Sequence, residues 1–227
     1  MKKIISIMML MIISLSVYAN DIYINQSGAS LDLDITQDGQ NNTVGSSGTA
    51  SSVIGATTNL AITQIGDSNV MTFDVNGATY TGTFSVTGNS NNIDFNCDSG
   101  GSNSSCGTAT ASIVWVGSSN DIDIDIGETS SATGATVSIT GASGSDSNTV
   151  LGTIDGNSAI LTLSINGDTN NFLVDIDGNG DSIGHTYVHT HTGSIADVDI
   201  TQSGIYDNMI TLTTSGDNAD IDISQTD

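Results

Sequence analysis

The sequence predicts an all-β protein, a β-solenoid built of stacked strand-turn-strand repeats. Short segments alternate apolar and polar residues with the period of two that is typical of β-strands. A glycine followed three residues later by an asparagine separates such segments repeatedly along the chain. Glutamine and asparagine recur on the apolar side of the alternation, where identical amides of stacked repeats can bond to one another.

A secretory signal peptide is predicted for residues 1–19. Lys2 and Lys3 precede an apolar run from Ile4 to Val17, and Ala19 is the small residue at a cleavage site before Asn20. A transmembrane anchor is the alternative, but the run of about 14 residues is short for a bilayer that requires about 20. Residues 20–227 are then one repeat domain. We expect it to be exported via the periplasm to the cell surface or extracellular space, without membrane insertion after cleavage.

The charge of the chain excludes several classes of function. It has 25 Asp and Glu against 2 Lys and Arg, and both lysines lie in the predicted signal peptide. Nucleic-acid binding needs a basic surface, and lysine- or arginine-based active sites need those side chains, so neither is expected. No local motif of a catalytic triad is recognisable, and we expect the protein not to be an enzyme.

The repeat unit is a strand, a glycine turn, an asparagine and a second strand. Four units keep a step of three residues between glycine and asparagine: Gly66 to Asn69, Gly88 to Asn91, Gly117 to Asn120 and Gly167 to Asn170. Looser units run from Gly144 to Asn148 and from Gly204 to Asn208. Glycines at the corresponding place of successive units are Gly39, Gly66, Gly88, Gly117, Gly141, Gly167 and Gly204. Such units cannot bury their apolar edges alone, and stacking of the units solves this.

The two sides of each strand differ in composition. In one segment Ile122, Ile124 and Ile126 alternate with Asp, and elsewhere the outer parity is Asp, Thr or Ser. A β-sandwich of short alternating strands is the alternative architecture. The solenoid is favoured because a sandwich does not require the same residue type at the same step of every unit.

Inward-facing amides are predicted to form ladders. A buried unsatisfied amide costs about 1–3 kcal/mol, whereas stacked identical amides satisfy one another. The residues predicted to form these ladders, and to support assembly, are Gln26, Gln37, Gln64, Gln202, Gln225, Asn42, Asn69, Asn91, Asn120 and Asn170.

The only two cysteines, Cys97 and Cys106, flank a polar segment. Export favours a disulfide that closes this loop, which would stabilise the fold by about 2–3 kcal/mol. Two free thiols acting as metal ligands are the alternative, but they lack nearby partners in the sequence.

Two groups of residues are candidate metal ligands. Asp121, Asp123 and Asp125 face one way on a strand, and carboxylate clusters of this kind bind calcium. A solvated acidic surface is the alternative, so no cofactor is expected apart from this candidate calcium. A looped insertion is predicted near residues 177–195. It carries His185, His189 and His191, which are either zinc or copper ligands or part of an exposed β-arm, and the arm is favoured.

The repeats resemble those of curli subunits, in which glutamine is followed two places on by glycine and five places on by asparagine. Two units match this spacing fully: Gln37/Gly39/Asn42 and Gln64/Gly66/Asn69. Two more match its first two places: Gln26/Gly28 and Gln202/Gly204. The central units depart from it, with Val86, Trp115, Ile139 and Ile165 in place of the glutamine. The resemblance extends over most of residues 22–227.

This resemblance implies a secreted β-solenoid that is a main, minor or nucleating subunit of amyloid-type fibres in the biofilm matrix. It implies self-association, with other curli-like subunits and an outer-membrane export system as further partners. The long Gly/Asn-rich leader of that family is not recognisable here, which leaves the export route open. The alternatives are a monomeric adhesin and a divalent-cation-binding surface protein.

Ice or flat-surface binding is a further alternative. Thr79, Thr81 and Thr83 form an outward threonine row, but outward Asp elsewhere argues against a regular threonine lattice.

Overall fold

The structure, a computed structural model, describes residues 20–39, 42–45, 51–66, 69–88, 90–97, 106–127, 134–142, 144–155, 159–177, 185–204 and 208–226. These residues contain strands and connecting turns and no helix. The strands are β1 (Asn20–Ile22), β2 (Asn25–Asp38), β3 (Asn42–Val44), β4 (Ser51–Ile65), β5 (Val70–Thr87), β6 (Asn92–Cys97), β7 (Cys106–Val116), β8 (Asp121–Ile126), β9 (Gly134–Gly141), β10 (Thr149–Asp155), β11 (Ile160–Asn166), β12 (Asn170–Asp177), β13 (Thr186–Thr192), β14 (Ala196–Ser203), β15 (Met209–Ser215) and β16 (Asp220–Thr226).

The strands form two parallel sheets of a β-solenoid, as the repeat pattern predicts. Every described strand pairs in parallel with the corresponding strand of an adjacent coil. β2, β4 and β5 are long because each passes through a corner and contributes to both sheets. The parallel register excludes the β-sandwich alternative, which consists of antiparallel sheets.

The outward residues distinguish the two sheets. One sheet contains β1, β3, the first parts of β2, β4 and β5, and then β6, β8, β10, β12, β14 and β16. Its strands carry Asp21, Asp74, Asp94, Asp121, Asp123, Asp125, Asp155, Asp175, Asp177, Asp197, Asp199, Asp220 and Asp222, and we call it the acidic sheet. The other contains the second parts of β2, β4 and β5, and then β7, β9, β11, β13 and β15. We call it the neutral sheet because its described strands after β2 carry no charged residue.

The core lies between the sheets and is filled by columns of side chains that stack from coil to coil. The column that starts with Gln37 and Gln64 continues through Val86, Trp115 and Gly141. Gly141 makes room for the fully buried indole, because a Cβ at Gly141 would lie 2.7 Å from Cζ2 of Trp115. The largest side chain of the column therefore lies beside a residue without one, which keeps the interior close-packed at this point.

The corners at Gly39, Gly66, Gly88 and Gly117 have positive φ, between 135° and 155°. The later assignments need correction. Gly141 is the last residue of β9, and Gly204 follows β14 at the opposite corner of the coil. The last two equivalent corners are instead Gly193 and Gly216, with φ of 141° and 146°. They are inconspicuous in the sequence because alanine, not asparagine, follows three residues later.

Much of the predicted insertion near residues 177–195 is regular structure. Thr186–Thr192 is β13, which pairs with β11 and β15 in the neutral sheet, and Gly193 forms the next corner. The rest, residues 178–184, lies outside the described part of the chain, as does the predicted signal peptide at residues 1–19. In the described part, no helix has the length and hydropathy that a membrane crossing requires.

Candidate functional site

A continuous asparagine ladder runs along one corner of the solenoid. In it, the backbone N–H of each asparagine donates to the side-chain Oδ1 of the asparagine in the next coil. The donor-acceptor distances are 3.3 Å for Asn42 to Asn69, 2.9 Å for Asn69 to Asn91, 3.0 Å for Asn91 to Asn120, 2.9 Å for Asn120 to Asn148 and 3.0 Å for Asn148 to Asn170. All six asparagines are buried.

Each ladder asparagine also closes its own turn. The Nδ2 of Asn91 donates to the carbonyl oxygen of Gly88, three residues earlier, at 2.9 Å, and the other members bond in the same way. Asn148, which was not among the predicted ladder residues, lies three residues after Ser145 rather than after a glycine. Asn148 was not predicted as a ladder residue because serine stands where the other units have glycine. The looser unit from Gly144 to Asn148 was the only indication in the sequence.

The glutamines fall into two separate columns. Gln64 Nε2 donates to Gln37 Oε1 at 2.8 Å in the neutral sheet. Gln225 Nε2 donates to Gln202 Oε1 at 3.1 Å in the acidic sheet. Gln26 also lies in the acidic sheet, where it pairs with Val53 and therefore not with Gln37.

Gln26 and Gln225 occupy the two ends of one column. Between them the column runs through Val53, Val75, Cys97, Ile126, Ile154, Ile176 and Gln202. The segments at the two ends carry Asp, Ile, Ile and Gln at the same steps, with Asp-Ile-Tyr-Ile-Asn-Gln-Ser at residues 21–27, from β1 into β2, and Asp-Ile-Asp-Ile-Ser-Gln-Thr at residues 220–226 in β16. Ile22 and Ile221 share a second column, so the two segments have the same register.

The end strand β16 is the most exposed strand of the described structure. All of its residues are exposed, and it pairs with β14 alone. Ile223 is 49% exposed, although the same column is fully buried in the middle of the solenoid, as at Val174. The inner side of β16 is thus an apolar surface that one further strand would cover.

The three candidate calcium ligands of β8 point outward from the acidic sheet. Asp123 lies beside Asp94 of the preceding coil, whereas Asp121 and Asp125 lie beside Asn92 and Asn96. Stacking therefore brings one of the three next to another carboxylate in the adjacent strand. Together with Asp175, Asp123 and Asp125 line a groove of about 380 Å³ on this face.

Burial changes the acidity of part of this face. It raises the pKa of Asp94, and burial together with the charge of Asp94 raises the pKa of Asp74. Burial and, secondarily, the charge of Asp177 raise the pKa of Asp175. Part of the acidic sheet therefore takes up protons more readily than an isolated aspartate does.

The three histidines are buried, so the expectation of an exposed β-arm is wrong. They share one parity of the segment 185–191, which points into the core. His185 Nδ1 accepts a hydrogen bond from the backbone N–H of Ala159 at 3.0 Å, and Asn208 Oδ1 accepts one from the N–H of His185 at 3.0 Å. This is a second, short ladder at the corner opposite the asparagines.

The other two histidines fill the core beside the end of the asparagine ladder. His191 Nε2 donates to the carbonyl oxygen of Gly167 at 2.8 Å, on the same turn that Asn170 closes. His189 lies in edge-to-face contact with Phe172, at a centroid distance of 4.6 Å, and a hydrogen bond of 3.0 Å joins its Nδ1 and the Tyr187 hydroxyl. Burial, with a smaller contribution from His191, lowers the pKa of His189 to about 4.

The described residues provide no recognisable metal centre. No group of three or more His, Cys, Asp or Glu among them is arranged to hold a metal ion. His185 and His191 each use a ring nitrogen in a hydrogen bond to the backbone. In the described part of the chain, ring nitrogens without a hydrogen-bond partner are left at Nε2 of His189 and Nδ1 of His191, both of them buried in the core.

Cys97 is fully buried and disulfide-bonded. The sequence contains one other cysteine, Cys106, the first residue of β7. The segment between the two, residues 98–105, lies outside the described residues. Cys97 occupies the same core column as Gln26 and Gln225, so the disulfide anchors the middle of that column.

Comparisons of the chain with protein-family models, with curated proteins and with solved structures find no match.

Proposed function

We propose that this protein is a secreted structural protein, a curli-like subunit of amyloid-type extracellular fibres that grows by end-to-end stacking of the solenoid. The observation that carries the proposal is the match between the two end strands of the acidic sheet. An end strand presents a row of unpaired backbone groups, which is a template for a strand of another chain.

The register of the structure indicates how two copies fit together. If β16 of one copy pairs in parallel with residues 21–27 of the next, Ile221 lies beside Ile22, Ile223 beside Ile24 and Gln225 beside Gln26. The Gln202–Gln225 ladder then continues into the next molecule. Identical stacked amides and aliphatics are the interactions that stabilise cross-β assemblies.

The same geometry predicts the weak point of the fibre. Among the described residues the acidic sheet extends one strand further than the neutral sheet at the C-terminal end, because β16 follows β15. A junction made through β16 therefore leaves the neutral sheet one strand short. We expect fibres to break at these junctions rather than within a subunit.

Charge opposes this stacking and should make it salt-dependent. Asp220 and Asp222 already lie beside Asp197 and Asp199 of the preceding strand. A further copy adds carboxylates to the same surface, and salt or divalent cations screen that repulsion. Fibre growth should accordingly be faster at about 150 mM salt than at about 10 mM, where the Debye length is about three to four times longer.

Electron microscopy and amyloid-dye binding of purified residues 20–227 test the proposal, with Ile223→Lys as the decisive variant. A lysine on the inner side of β16 puts a charge where the next strand must pack, which blocks edge pairing. Leu173→Lys is the matched control: it adds the same charge to the acidic sheet, at an outward position that is 49% exposed in the middle of the solenoid.

We expect wild-type protein and Leu173→Lys to form fibres with a repeat of about 4.8 Å along the axis, and Ile223→Lys to remain unassembled. Equal fibre growth by the two variants would contradict end-to-end stacking through β16. Wild-type protein that stays monomeric with salt and calcium present would instead favour the alternative functions, an adhesin or a cation-binding surface protein. For the latter, the groove that contains Asp123 and Asp125 is the place to look.

A further inference from the structure

The outward face of the neutral sheet carries no charge over seven successive strands. We call this surface the neutral face. It consists of the outward residues of 57–65, 79–87, 108–116, 134–140, 160–166, 186–192 and 209–215, which are threonine and serine with a few Val, Ile, Asn, Ala, Gly and Met. In a chain with 25 Asp and Glu, this segregation is a property of the coil and is not visible as one block in the sequence.

Apolar side chains are exposed on the neutral face together with the threonine methyl groups. Val114 and Val116 of β7 are 38% and 43% exposed, and Ile160 of β11 is 41% exposed. Threonines of the same face, such as Thr110 of β7, are also exposed. β-Branched side chains on adjacent parallel strands form a regular, flat array that can interdigitate with a second such array.

From this charge distribution we propose that the neutral face is the contact surface for a second copy of this chain, so that two solenoids pack face to face. The arrangement places four sheets in the order acidic, neutral, neutral, acidic. With about 10 Å between packed sheets, the two acidic sheets lie about 30 Å apart, whereas the Debye length at physiological salt is about 8 Å. The repulsion between the two acidic sheets is therefore screened, and the uncharged neutral faces that pair add no repulsion of their own.

The size of the neutral face suits a stable pair. Seven strands about 4.8 Å apart and about 25 Å long cover about 840 Å² per copy. Two copies would bury about 1,700 Å², within the range of about 1,200–2,000 Å² that specific interfaces bury. The first strand of the same sheet marks the limit of this surface, since Asp32, Asp34 and Asp38 point outward from β2.

Face-to-face pairing is distinct from end-to-end stacking and uses other residues. The test therefore uses the Ile223→Lys protein, residues 20–227, in which growth through β16 is blocked. Sedimentation equilibrium over a range of concentrations measures its dimerisation. Two variants add one carboxylate to the neutral face, Thr110→Asp on β7 and Ser164→Asp on β11. The control, Asn171→Asp on β12, adds the same charge to an exposed position of the acidic sheet.

We expect a dimer whose dissociation constant rises at least about tenfold in each neutral-face variant and stays within about twofold in the control, since a buried unpaired charge is costly at an interface. Circular dichroism establishes that all four proteins keep the same strand content. A protein that stays monomeric at every concentration would overturn the proposal. This holds even if the monomer shapes ice crystals, as an array of threonines can. Equal dimerisation of the neutral-face and control variants would overturn it as well.

The width of the fibres distinguishes face-to-face pairing from end-to-end stacking. If wild-type fibres are paired filaments, Thr110→Asp should convert them to single filaments of unchanged length. If Ile223→Lys still forms fibres, the proposed end-to-end stacking fails, yet the width of Thr110→Asp fibres still decides whether the neutral face pairs.

Discussion

At the scale of single residues, the corner glycines are constrained twice, by backbone conformation and by the coil stacked on them. Gly193 has φ of 141°, a conformation that L-residues with a side chain rarely adopt. A Cβ at this position would also lie 2.1 Å from the carbonyl oxygen of Gly167 in the preceding coil. The close stacking of the corners therefore depends on the missing side chain.

Gly193→Ala should therefore destabilise the fold strongly, by about 2–4 kcal/mol, because both the local strain and the contact with Gly167 oppose the methyl group. Urea denaturation followed by circular dichroism measures the free energy of unfolding. Gly152→Ala is the control, since its added Cβ would meet Leu161 Cδ2 at an ordinary van der Waals distance of 3.8 Å. Equal stability of the two variants would show that the corner does not need glycine.

Sequence reasoning at this scale is reliable where a motif is intact. Gly66 and Asn69 identify a corner because both residues of the motif are present. The sequence does not mark Gly193 as a corner because Ala196 replaces the asparagine, and it places Asn148 only in a looser unit because Ser145 replaces the glycine. Several residue pairs can form a corner that fits against the adjacent coil. Only the three-dimensional stacking of the coils shows which pair is used at each corner.

At the scale of structural elements, the asparagine ladder links the corners of successive coils. The side chain and the backbone N–H of Asn91 take part in four hydrogen bonds, and its carbonyl oxygen accepts a fifth from the N–H of Asp121 at 2.8 Å. In the first four, Asn91 accepts from the N–H of Asn69, donates its Nδ2 to Gly88 and to Asn120, and bonds Asn120 through its own backbone N–H. Because Asn69, Asn91 and Asn120 are buried, loss of Asn91 leaves polar groups in the neighbouring coils without a hydrogen-bond partner.

Asn91→Ala should lower the free energy of unfolding by about 2–4 kcal/mol, since it leaves the buried N–H of Asn69 and the carbonyl of Gly88 without this partner. Thermal and urea denaturation check the value. Asn92→Ala changes the adjacent, exposed asparagine of β6 and should shift stability by less than about 0.5 kcal/mol. A similar loss in both would indicate that strand propensity, not the ladder, explains the effect.

The elements themselves were predictable, but their lengths and partners were not. The alternation of Ile122, Ile124 and Ile126 with aspartates predicts β8 and its inner side correctly. The pairing of Gln26 with Val53, rather than with another glutamine, depends on which sheet a strand joins, and parity carries no information about that. The burial of His185, His189 and His191 was missed for a related reason: a Thr/His alternation is equally compatible with a core strand and an exposed arm.

At the scale of the whole molecule, the free energy of unfolding depends on pH through two kinds of groups, a buried histidine and the surface carboxylates, whose effects have opposite signs. His189 is neutral in the folded state because its pKa is about 4, whereas an unfolded chain protonates it near pH 6.5. Folded stability is then complete above pH 6.5 and decreases as the pH falls to about 4. The raised pKa of Asp94 acts in the opposite direction and at lower pH, where its protonation stabilises the folded state.

We therefore expect the wild-type free energy of unfolding to fall between pH 7 and pH 4.5, by up to about 3 kcal/mol from His189. His189→Leu removes the titrating group that contacts Tyr187, His191 and Phe172. Urea denaturation at several pH values should show a smaller fall in this variant than in wild type. Parallel profiles for the two proteins would mean that His189 does not titrate on unfolding.

The sequence alone determined the fold class, the inner and outer side of most strands and the residues able to form amide ladders. These follow from short-range periodicity, because side chains alternate along a strand and a repeated motif must stack to bury its apolar edge. Only the tertiary structure decided the register of one coil on the next. That register unites Gln26 with Gln225 in one column, encloses the histidines, and separates the aspartates from the threonines on opposite faces, since all three depend on which strands the corners bring side by side.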